Sequence, residues 1–259
     1  MTTIDLAKKP GAKRGGFLEL AGLAVATGIC VALLSVGPFL FRVYSIPSTS
    51  TAPGIVVGDY VVVSRYAYGF SRYSLPLSDV LPYPLAGTLL PGALPKRGDI
   101  IVFKLPKDNA TDYIKRVVGL PGDTIQMIEG VLTINGKPVK RERVADYELV
   151  QSYGKVDKVA QYEETLPGGA TFRVIERDGD RSFYDNTEVY EVPARHVFTL
   201  GDNRDNSVDS RDLASVGYVP IRNLVGRADL VLFSFADAAG GNSSATAALR
   251  WSRFMAAIR

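Results

Sequence analysis

The sequence predicts a mainly β protein with one apolar helix near its N-terminus. After residue 41, Val, Ile, Thr, Tyr and Phe recur in short runs between Gly and Pro, a pattern typical of strands joined by tight turns. The N-terminal apolar run has the length and composition of a helix that crosses a membrane. A chain of 259 residues is long enough to bury a full core, as one large domain or two smaller ones.

The apolar run extends from Phe17 to Phe41 and contains one charged residue, Glu19. About 20 apolar residues suffice to cross a bilayer. Four basic residues precede the run, namely Lys8, Lys9, Lys13 and Arg14. By the positive-inside rule they keep residues 1–16 in the cytoplasm. The alternative is a cleavable signal peptide, but its apolar region is usually only about 7–15 residues long. We therefore expect residues 17–41 to be a retained anchor.

Strands are predicted along the rest of the chain. Residues 55–63 predict two strands around a turn, whereas Tyr73–Pro95 is rich in Pro and Leu and predicts an ordered surface loop. Further apolar runs predict strands at 99–103, 113–118, 131–134, 197–200 and 230–235. The run at 131–134 is followed by Asn135-Gly136, which favours the positive φ angles of a type I′ turn and so predicts a hairpin.

Charge and small residues suggest where the β region is interrupted. Residues 137–196 are more charged and alternate weakly, as in a small β-rich domain inserted between a first part, 42–136, and a second part, 197–235, of the main β domain. Residues 236–244 are small and predict a linker. The basic segment after it, which carries Trp251, Phe254 and Met255, predicts a short C-terminal helix that packs on the protein or lies at a membrane interface.

Composition excludes several function classes. The net charge is only +3 and the basic residues form no run, so we expect no nucleic-acid partner. The only cysteine, Cys30, lies in the apolar run, which excludes an intramolecular disulfide and a cysteine-based zinc site. No set of His, Cys and carboxylate residues has the spacing of metal ligands. We therefore expect neither a metal nor another cofactor.

The chain has one histidine, which limits the choice of a catalytic base. A Ser-His-Asp triad would have to use His196, at the entry to a predicted strand. Lysine is the other option, because burial among apolar groups lowers the pKa of an ammonium group. Lys115 lies on a predicted strand beside Ile114 and Val117-Val118, and strand alternation turns its neighbour Arg116 to the opposite face. The alternative for Lys115 is an ordinary exposed strand lysine.

A polar loop from Gly201 to Arg211 has a composition similar to that of a calcium site. It does not fit an EF-hand in either register. Counted from Asp202, the position that needs glycine is Ser207. Counted from Asp205, that position is Ser210, and the last position of the motif is Val216. An ordered loop held by Asp–Arg pairs fits better. Its Ser207 hydroxyl could orient a neutral lysine, since a hydroxyl both donates and accepts hydrogen bonds.

Six segments carry a family resemblance. They are Ser48-Thr49-Ser50, Gly58-Asp59-Tyr60, Ala67-Tyr68-Gly69, Arg97-Gly98-Asp99-Ile100, the stretch from Tyr113 to Asp123 and the loop from Gly201 to Arg211. In this order they are similar to the motifs of bacterial type I signal peptidases, and the similarity covers roughly Tyr44 to Phe233. The resemblance implies an all-β catalytic fold with an inserted small β domain and a Ser–Lys dyad.

The resemblance also implies roles for individual residues. Ser50 is the expected nucleophile and Lys115 the general base, while Ser48 and the backbone N–H of Ser50 form the oxyanion hole. Ser207 is expected to hold Lys115. The remaining roles are two supporting ion pairs, Asp209 with Arg211 and Asp202 with Arg116, and pockets for small substrate side chains lined by Tyr44, Ile46 and Ile114.

The nucleophile motif departs from the family pattern, which is usually Ser-Gly-Ser-Met-x-Pro-Thr. Here Thr49 replaces the glycine and Thr51 the methionine, while Pro53 is kept. The β-branched Thr49 restricts the backbone, and the polar Thr51 removes an apolar contact beside the nucleophile. Either change is expected to alter substrate choice or lower activity.

The resemblance thus implies a membrane-bound serine endopeptidase that removes signal peptides from exported preproteins after small-x-small sites. Its expected partners are those preproteins and the lipid bilayer, and we expect a monomer. Ser50 follows Arg42 by eight residues, at most about 28 Å, so the site should lie near the outer face of the bacterial cytoplasmic membrane. The alternative is a catalytically impaired relative that binds preproteins or partners without cleaving them.

Overall fold

The computed structural model describes residues 15–75, 88–150, 155–179, 182–236 and 248–258. The chain divides after Pro38 into two compact units. The first contains most of helix α1, Gly15–Leu40, which coincides with the helix predicted over 17–41. Within the described part of the chain, no helix combines the length and the apolarity needed to cross a membrane. The four basic residues predicted to orient the anchor lie outside the described residues.

The described residues after α1 form nineteen strands. They are β1 Phe41–Ser45, β2 Asp59–Ser64, β3 Gly69–Ser71, β4 Thr88–Pro91, β5 Ile100–Lys104, β6 Asp112–Gly119, β7 Thr124–Ile128, β8 Val131–Ile134, β9 Lys137–Pro138, β10 Lys140–Arg143, β11 Tyr147–Val150, β12 Val156–Thr165, β13 Thr171–Glu176, β14 Tyr190–Glu191, β15 His196–Leu200, β16 Val219–Pro220, β17 Leu224–Ala236, β18 Ala248–Leu249 and β19 Ala256–Ala257. The mainly β fold class predicted from the sequence is confirmed.

The main sheet has the antiparallel order β1-β2-β17-β5-β6-β15-β16, and β18 and β19 also pair with β17. Strand β5 is buried on both faces because two core clusters lie against it. Ile100 and Val102 belong to one cluster, and Ile101 and Phe103 belong to the other. The period of two along a strand explains this division. A strand fixed on both faces gives its neighbour β6, which carries Lys115, a rigid support.

The described residues also form two four-stranded sheets, one of β14-β7-β8-β9 and one of β10-β12-β11 with β13 added to β12, and a two-stranded sheet of β3 and β4. The hairpin predicted after residue 134 is confirmed, since β8 pairs with β9 and the turn residues Asn135 and Gly136 both have positive φ angles, 53° and 73°. A third core cluster joins the two four-stranded sheets to β6 and β15 through residues such as Val118, Phe172 and Phe198.

Three local predictions need correction. The strand expected before Gly58 is absent, because residues 51–58 form turns in which Ile55 N–H bonds Thr51 O and Asp59 N–H bonds Val56 O. The second correction concerns the surface loop predicted over Tyr73–Pro95, because its last part includes strand β4, which pairs with β3. Residues 76–87 of this predicted loop lie outside the described residues.

The predicted C-terminal helix is also wrong, and the predicted linker lies mostly outside the described residues. Residues 248–258 form β18, a 3₁₀ turn at Trp251–Arg253 and β19. Strand β5 covers only the beginning of β17, and β19 pairs with Leu230 and Val231, further along the same strand. Backbone groups of a strand edge need hydrogen-bond partners, and the tail supplies them.

Candidate active site

Ser50 and Lys115 are in direct contact. Ser50 lies in the turn after β1, and Lys115 lies on β6 opposite Ile101 of β5. Lys115 Nζ donates a hydrogen bond to Ser50 Oγ over 2.6 Å. Only 8 % of Ser50 and 4 % of Lys115 is exposed to solvent. A hydroxyl and an amine are therefore within proton-transfer distance of each other in a largely buried environment.

Burial dominates the electrostatics of Lys115. Desolvation lowers the pKa of the ammonium group, the nearby Asp209 and Asp202 carboxylates raise it, and the Arg211 guanidinium lowers it again. The result is a pKa of about 8, against an ordinary value of 10.5. The apolar setting predicted from the strand sequence thus has the expected effect on the pKa.

The loop from Gly201 to Arg211, which follows β15, supports the backbone that carries Ser50. Asn203 N–H donates to Ser50 O over 3.1 Å. The Asn203 side chain donates to Thr49 O over 3.1 Å, and Asn206 Nδ2 donates to Thr49 Oγ1 over 2.8 Å. Sequence reasoning missed both asparagines. Their position beside the predicted Asp–Arg pairs was the available signal, because side-chain amides commonly bond exposed backbone in such loops.

The two threonines that depart from the family pattern both have polar contacts. The Thr49 hydroxyl bonds Asn206, as described above, so a side chain at this position gains a partner that glycine would lack. The Thr51 hydroxyl is buried and donates to Ile55 O over 3.5 Å within the same turn. Each substitution is therefore accommodated locally, without an unsatisfied hydroxyl.

Gly201 shows how closely the loop approaches Ser50. A Cβ atom built on Gly201 would lie 2.1 Å from Ser207 Oγ and 2.5 Å from Ser50 O. Both distances are below van der Waals contact, so only glycine fits there without moving Ser50 or Ser207.

Ser207 occupies the site without the contact predicted for it. Its side chain is buried, but its Oγ has no hydrogen-bond partner among the described residues. The hydrogen bond expected between Ser207 and Lys115 is therefore not formed in this structure. Ser207 lies beside Gly201, which itself touches the Ser50 backbone.

Both predicted ion pairs are present and buried. Arg211 binds Asp209 through two bonds of 2.9 Å, and Asp209 also accepts a 3.0 Å bond from Gly201 N–H. Burial raises the pKa of the Asp209 carboxyl, but Arg211 and the Gly201 N–H outweigh this and hold the pKa below its usual range. Arg116 binds Asp202 through bonds of 2.8 and 2.7 Å. Both ion pairs thus place a carboxylate near Lys115.

A cavity of about 290 Å³ opens beside Ser50 and Lys115. Its wall includes Pro47, Ser48, Ile114, Asn206 and Val208. Ser48 Oγ lies 3.3 Å from Ser50 Oγ, at the edge of this space. Among the three residues predicted to form substrate pockets, only Ile114 lines this cavity. Ile46 is buried in the core cluster that contains Ile55, and Tyr44 packs against that cluster.

His196 lies away from this cavity. Its ring Nδ1 is 2.9 Å from Ala194 O, and it borders a separate space together with Lys107 and Tyr218. Neither Ser50 nor Lys115 borders that space. In the part of the chain that the structure describes, no group of His, Cys, Asp and Glu residues is arranged to hold a metal ion.

Comparison with known proteins gives a consistent result. The family model described as signal peptidase, peptidase S26, matches residues 19–233. Signal peptidase I of Rickettsia canadensis is 38 % identical over 215 residues, covering 80 % of this chain and 76 % of the relative. The enzyme of Rickettsia typhi is 38 % identical over 219 residues with the same two coverages.

A crystal structure of a signal peptidase I from Enterococcus faecalis covers 52 % of this chain and 97 % of its own, at 24 % identity and a TM-score of 0.30. The family model and the two Rickettsia relatives each match most of the chain. The chain therefore belongs to the signal peptidase family, peptidase S26, and is a serine endopeptidase.

Proposed function

We propose that this protein removes N-terminal signal peptides from exported preproteins, with Ser50 as nucleophile and Lys115 as general base. The observation that carries the proposal is the 2.6 Å contact between Lys115 Nζ and Ser50 Oγ. The family names the reaction, and this contact supplies the chemistry that a serine nucleophile needs.

The pKa of Lys115 supports its role as base. With a pKa of about 8, about one molecule in ten carries a neutral amine at pH 7. The neutral amine takes the Ser50 proton while Oγ attacks the scissile carbonyl. The resulting ammonium then gives this proton to the amine that leaves, and an ester to Ser50 remains. In the second half Lys115 takes a proton from water, which attacks the ester, and returns it to Ser50.

We assign the oxyanion hole to the Ser48 hydroxyl and the Ser50 backbone N–H. The position of Ser48 Oγ, 3.3 Å from the nucleophile, supports this assignment. One such donor typically contributes about 10²–10³ in rate, because it acts where negative charge develops. The two ion pairs and Ser207 support the same site, Ser207 by rotating its unpaired hydroxyl toward Lys115.

We assign substrate choice to the cavity of about 290 Å³ beside Ser50. Pro47, Ile114 and Val208 form the apolar part of its wall, which also includes Asp112 and Lys115. We propose that Ile114, with Tyr44 and Ile46 behind it, selects the small residues of a small-x-small site.

We further propose that residues 17–41 anchor a monomeric enzyme in the bacterial cytoplasmic membrane, with the β part on the extracytoplasmic side. The apolar run and the basic residues before it support this topology. Ser50 follows Arg42 by eight residues, which places the nucleophile within about 28 Å of the anchor's end. Signal-peptide cleavage sites emerge at that same level.

The test is cleavage of a membrane-inserted preprotein by the purified full-length chain, beside Ser50→Ala, Lys115→Ala and the control His196→Ala. We expect the first two substitutions to abolish cleavage and the control to retain it. Binding of the preprotein without cleavage by the unmodified chain would favour the catalytically impaired alternative. Loss of activity in a folded His196→Ala variant would contradict the Ser–Lys assignment.

A further inference from the structure

The C-terminal tail reaches the turn that carries the nucleophile. The described tail, residues 248–258, runs along β17 as β18, a 3₁₀ turn and β19. From this position two arginine side chains extend to residues 54–59. Arg250 Nη1 donates to Val57 O over 2.8 Å and to Ser234 Oγ over 2.9 Å. The second, Arg253, makes three bonds.

Arg253 bridges the turn and the first residue of β2. Its Nε donates to Asp59 Oδ1 over 2.8 Å, and its Nη2 donates both to Asp59 Oδ2 over 2.5 Å and to Gly54 O over 2.9 Å. The Asp59 side chain is 0 % exposed, whereas that of Arg253 is 24 % exposed. A planar guanidinium can hold a carboxylate and a carbonyl at the same time, whereas a lysine ammonium lacks this fork geometry.

Gly54 connects this bridge to the active site. It lies four residues after Ser50 in a turn closed by the bonds Ala52 N–H to Thr49 O and Ile55 N–H to Thr51 O. A Cβ atom built on Gly54 would lie 3.4 Å from Asp202 Oδ2, so the turn also rests on the Arg116–Asp202 pair. The turn is thus held by two parts of the chain. The loop of residues 201–211 contacts it near Ser50, and Arg253 binds it at Gly54 O.

We propose that Arg253 is a positioning residue for Ser50, and this inference rests on the proposed role of Ser50 as nucleophile. By fixing Gly54 O and Asp59 together, the guanidinium sets the position of the turn and with it the 2.6 Å contact between Ser50 and Lys115. Arg253 does not border the cavity beside Ser50, so its loss should affect the chemical step more than substrate binding.

The test compares kcat and KM for preprotein cleavage by the full chain carrying Arg253→Gln, Arg253→Lys or Arg222→Gln. Arg222 is exposed and distant in sequence from the turn, so its substitution is a matched control. We expect Arg253→Gln to lower kcat about tenfold with KM changed less than twofold. Arg253→Lys should restore part of kcat, since it keeps the charge beside Asp59, and Arg222→Gln should match the unmodified chain.

Folded protein is quantified by circular dichroism, and kcat is expressed per folded molecule. A purely structural role would lower the melting temperature and leave this kcat within twofold of the unmodified value, which would overturn the proposal. If Arg253→Gln does not fold, the test uses Arg253→Lys alone. An unchanged kcat of Arg253→Lys would then overturn the proposal, because a lysine lacks the fork geometry of the guanidinium. A Ser50→Ala control distinguishes failure of the proposed function from failure of the Arg253 proposal. Cleavage that survives Ser50→Ala refutes the proposed function, whatever the Arg253 variants do.

Discussion

At the residue scale, the base strength of Lys115 results from opposing contributions. Burial among the apolar residues of β5 and β6 lowers its pKa, and the carboxylates of Asp209 and Asp202 limit the decrease. A fully apolar site would disfavour the ammonium that forms in the proposed proton transfer from Ser50 to Lys115. The nearby carboxylates stabilise that ammonium, so a buried lysine can both accept the proton and hold it.

The pKa of Lys115 predicts a pH dependence for cleavage. Only the neutral amine is a base, so kcat/KM should rise about tenfold per pH unit below pH 8 and level off above it. The measurement is kcat/KM for a preprotein between pH 6 and pH 10, with circular dichroism at each pH to show that the enzyme remains folded. A profile without a rise through pH 7 would contradict Lys115 as the base.

Thr49 and Asn206 predict an energetic coupling. Asn206→Ala removes the bond to the Thr49 hydroxyl, and the turn before Ser50 loses one support. One hydrogen bond is worth about 1 kcal/mol, so kcat should fall up to about tenfold. In a Thr49→Gly background the same Asn206 change should have little further effect. The four variants form a double-mutant cycle. If Asn206→Ala lowers kcat by the same factor in both backgrounds, the two residues act independently.

At the element scale, the loop of residues 201–211 is fixed by buried charges that reach other elements. Asp202 binds Arg116 on β6, and Arg204 binds Glu164 on β12. The third pair, Asp209 with Arg211, closes the loop on itself. A buried pair of this kind adds little net stability, but removal of one partner leaves an uncompensated charge. The loop therefore has one stable position relative to β6 and β12.

Glu164→Gln tests the ion pair between Arg204 of the loop and Glu164 of β12. The substitution leaves the fully buried Arg204 guanidinium without its carboxylate, and we expect the free energy of unfolding to fall by about 3–5 kcal/mol. Urea unfolding followed by circular dichroism measures the change. Glu163→Gln is the matched control, because Glu163 is the preceding residue of β12, faces the opposite side and is only half-buried. If the free energy of unfolding fell equally in both variants, the Arg204–Glu164 pair would not be what fixes the loop.

Local chemistry in the sequence predicted some elements well and others poorly. The Asn135-Gly136 turn and the apolar strands β5 and β6 follow from the sequence alone, because backbone preference and alternation decide them. The tail does not, since strands of two residues each are determined by the free edge of β17, a tertiary feature. The same holds at the site, where the motifs indicate Ser50 and Lys115, but the contacts of Asn203, Asn206 and Arg253 arise only from folding.

At the whole-molecule scale, the division after Pro38 suggests that substrate delivery and chemistry are separable. Removal of residues 2–38 should leave cleavage of a short soluble peptide within about twofold of the full chain. Cleavage of a preprotein inserted in vesicles should fall at least tenfold, because a shared membrane raises the effective concentration of enzyme and substrate. The measurement is kcat/KM with both substrates. Equal losses with the two substrates would contradict the proposed anchor.

The contacts that hold the nucleophile turn come from distant parts of the chain. Asn203 reaches Thr49 across 154 residues, and Arg253 reaches Asp59 across 194. Loops of this length close slowly compared with local turns. During biosynthesis the serine is therefore made long before the residues that hold it in place. The turn that holds Ser50 therefore acquires its contact with Arg253 only after strands β2 to β18 have all been synthesised.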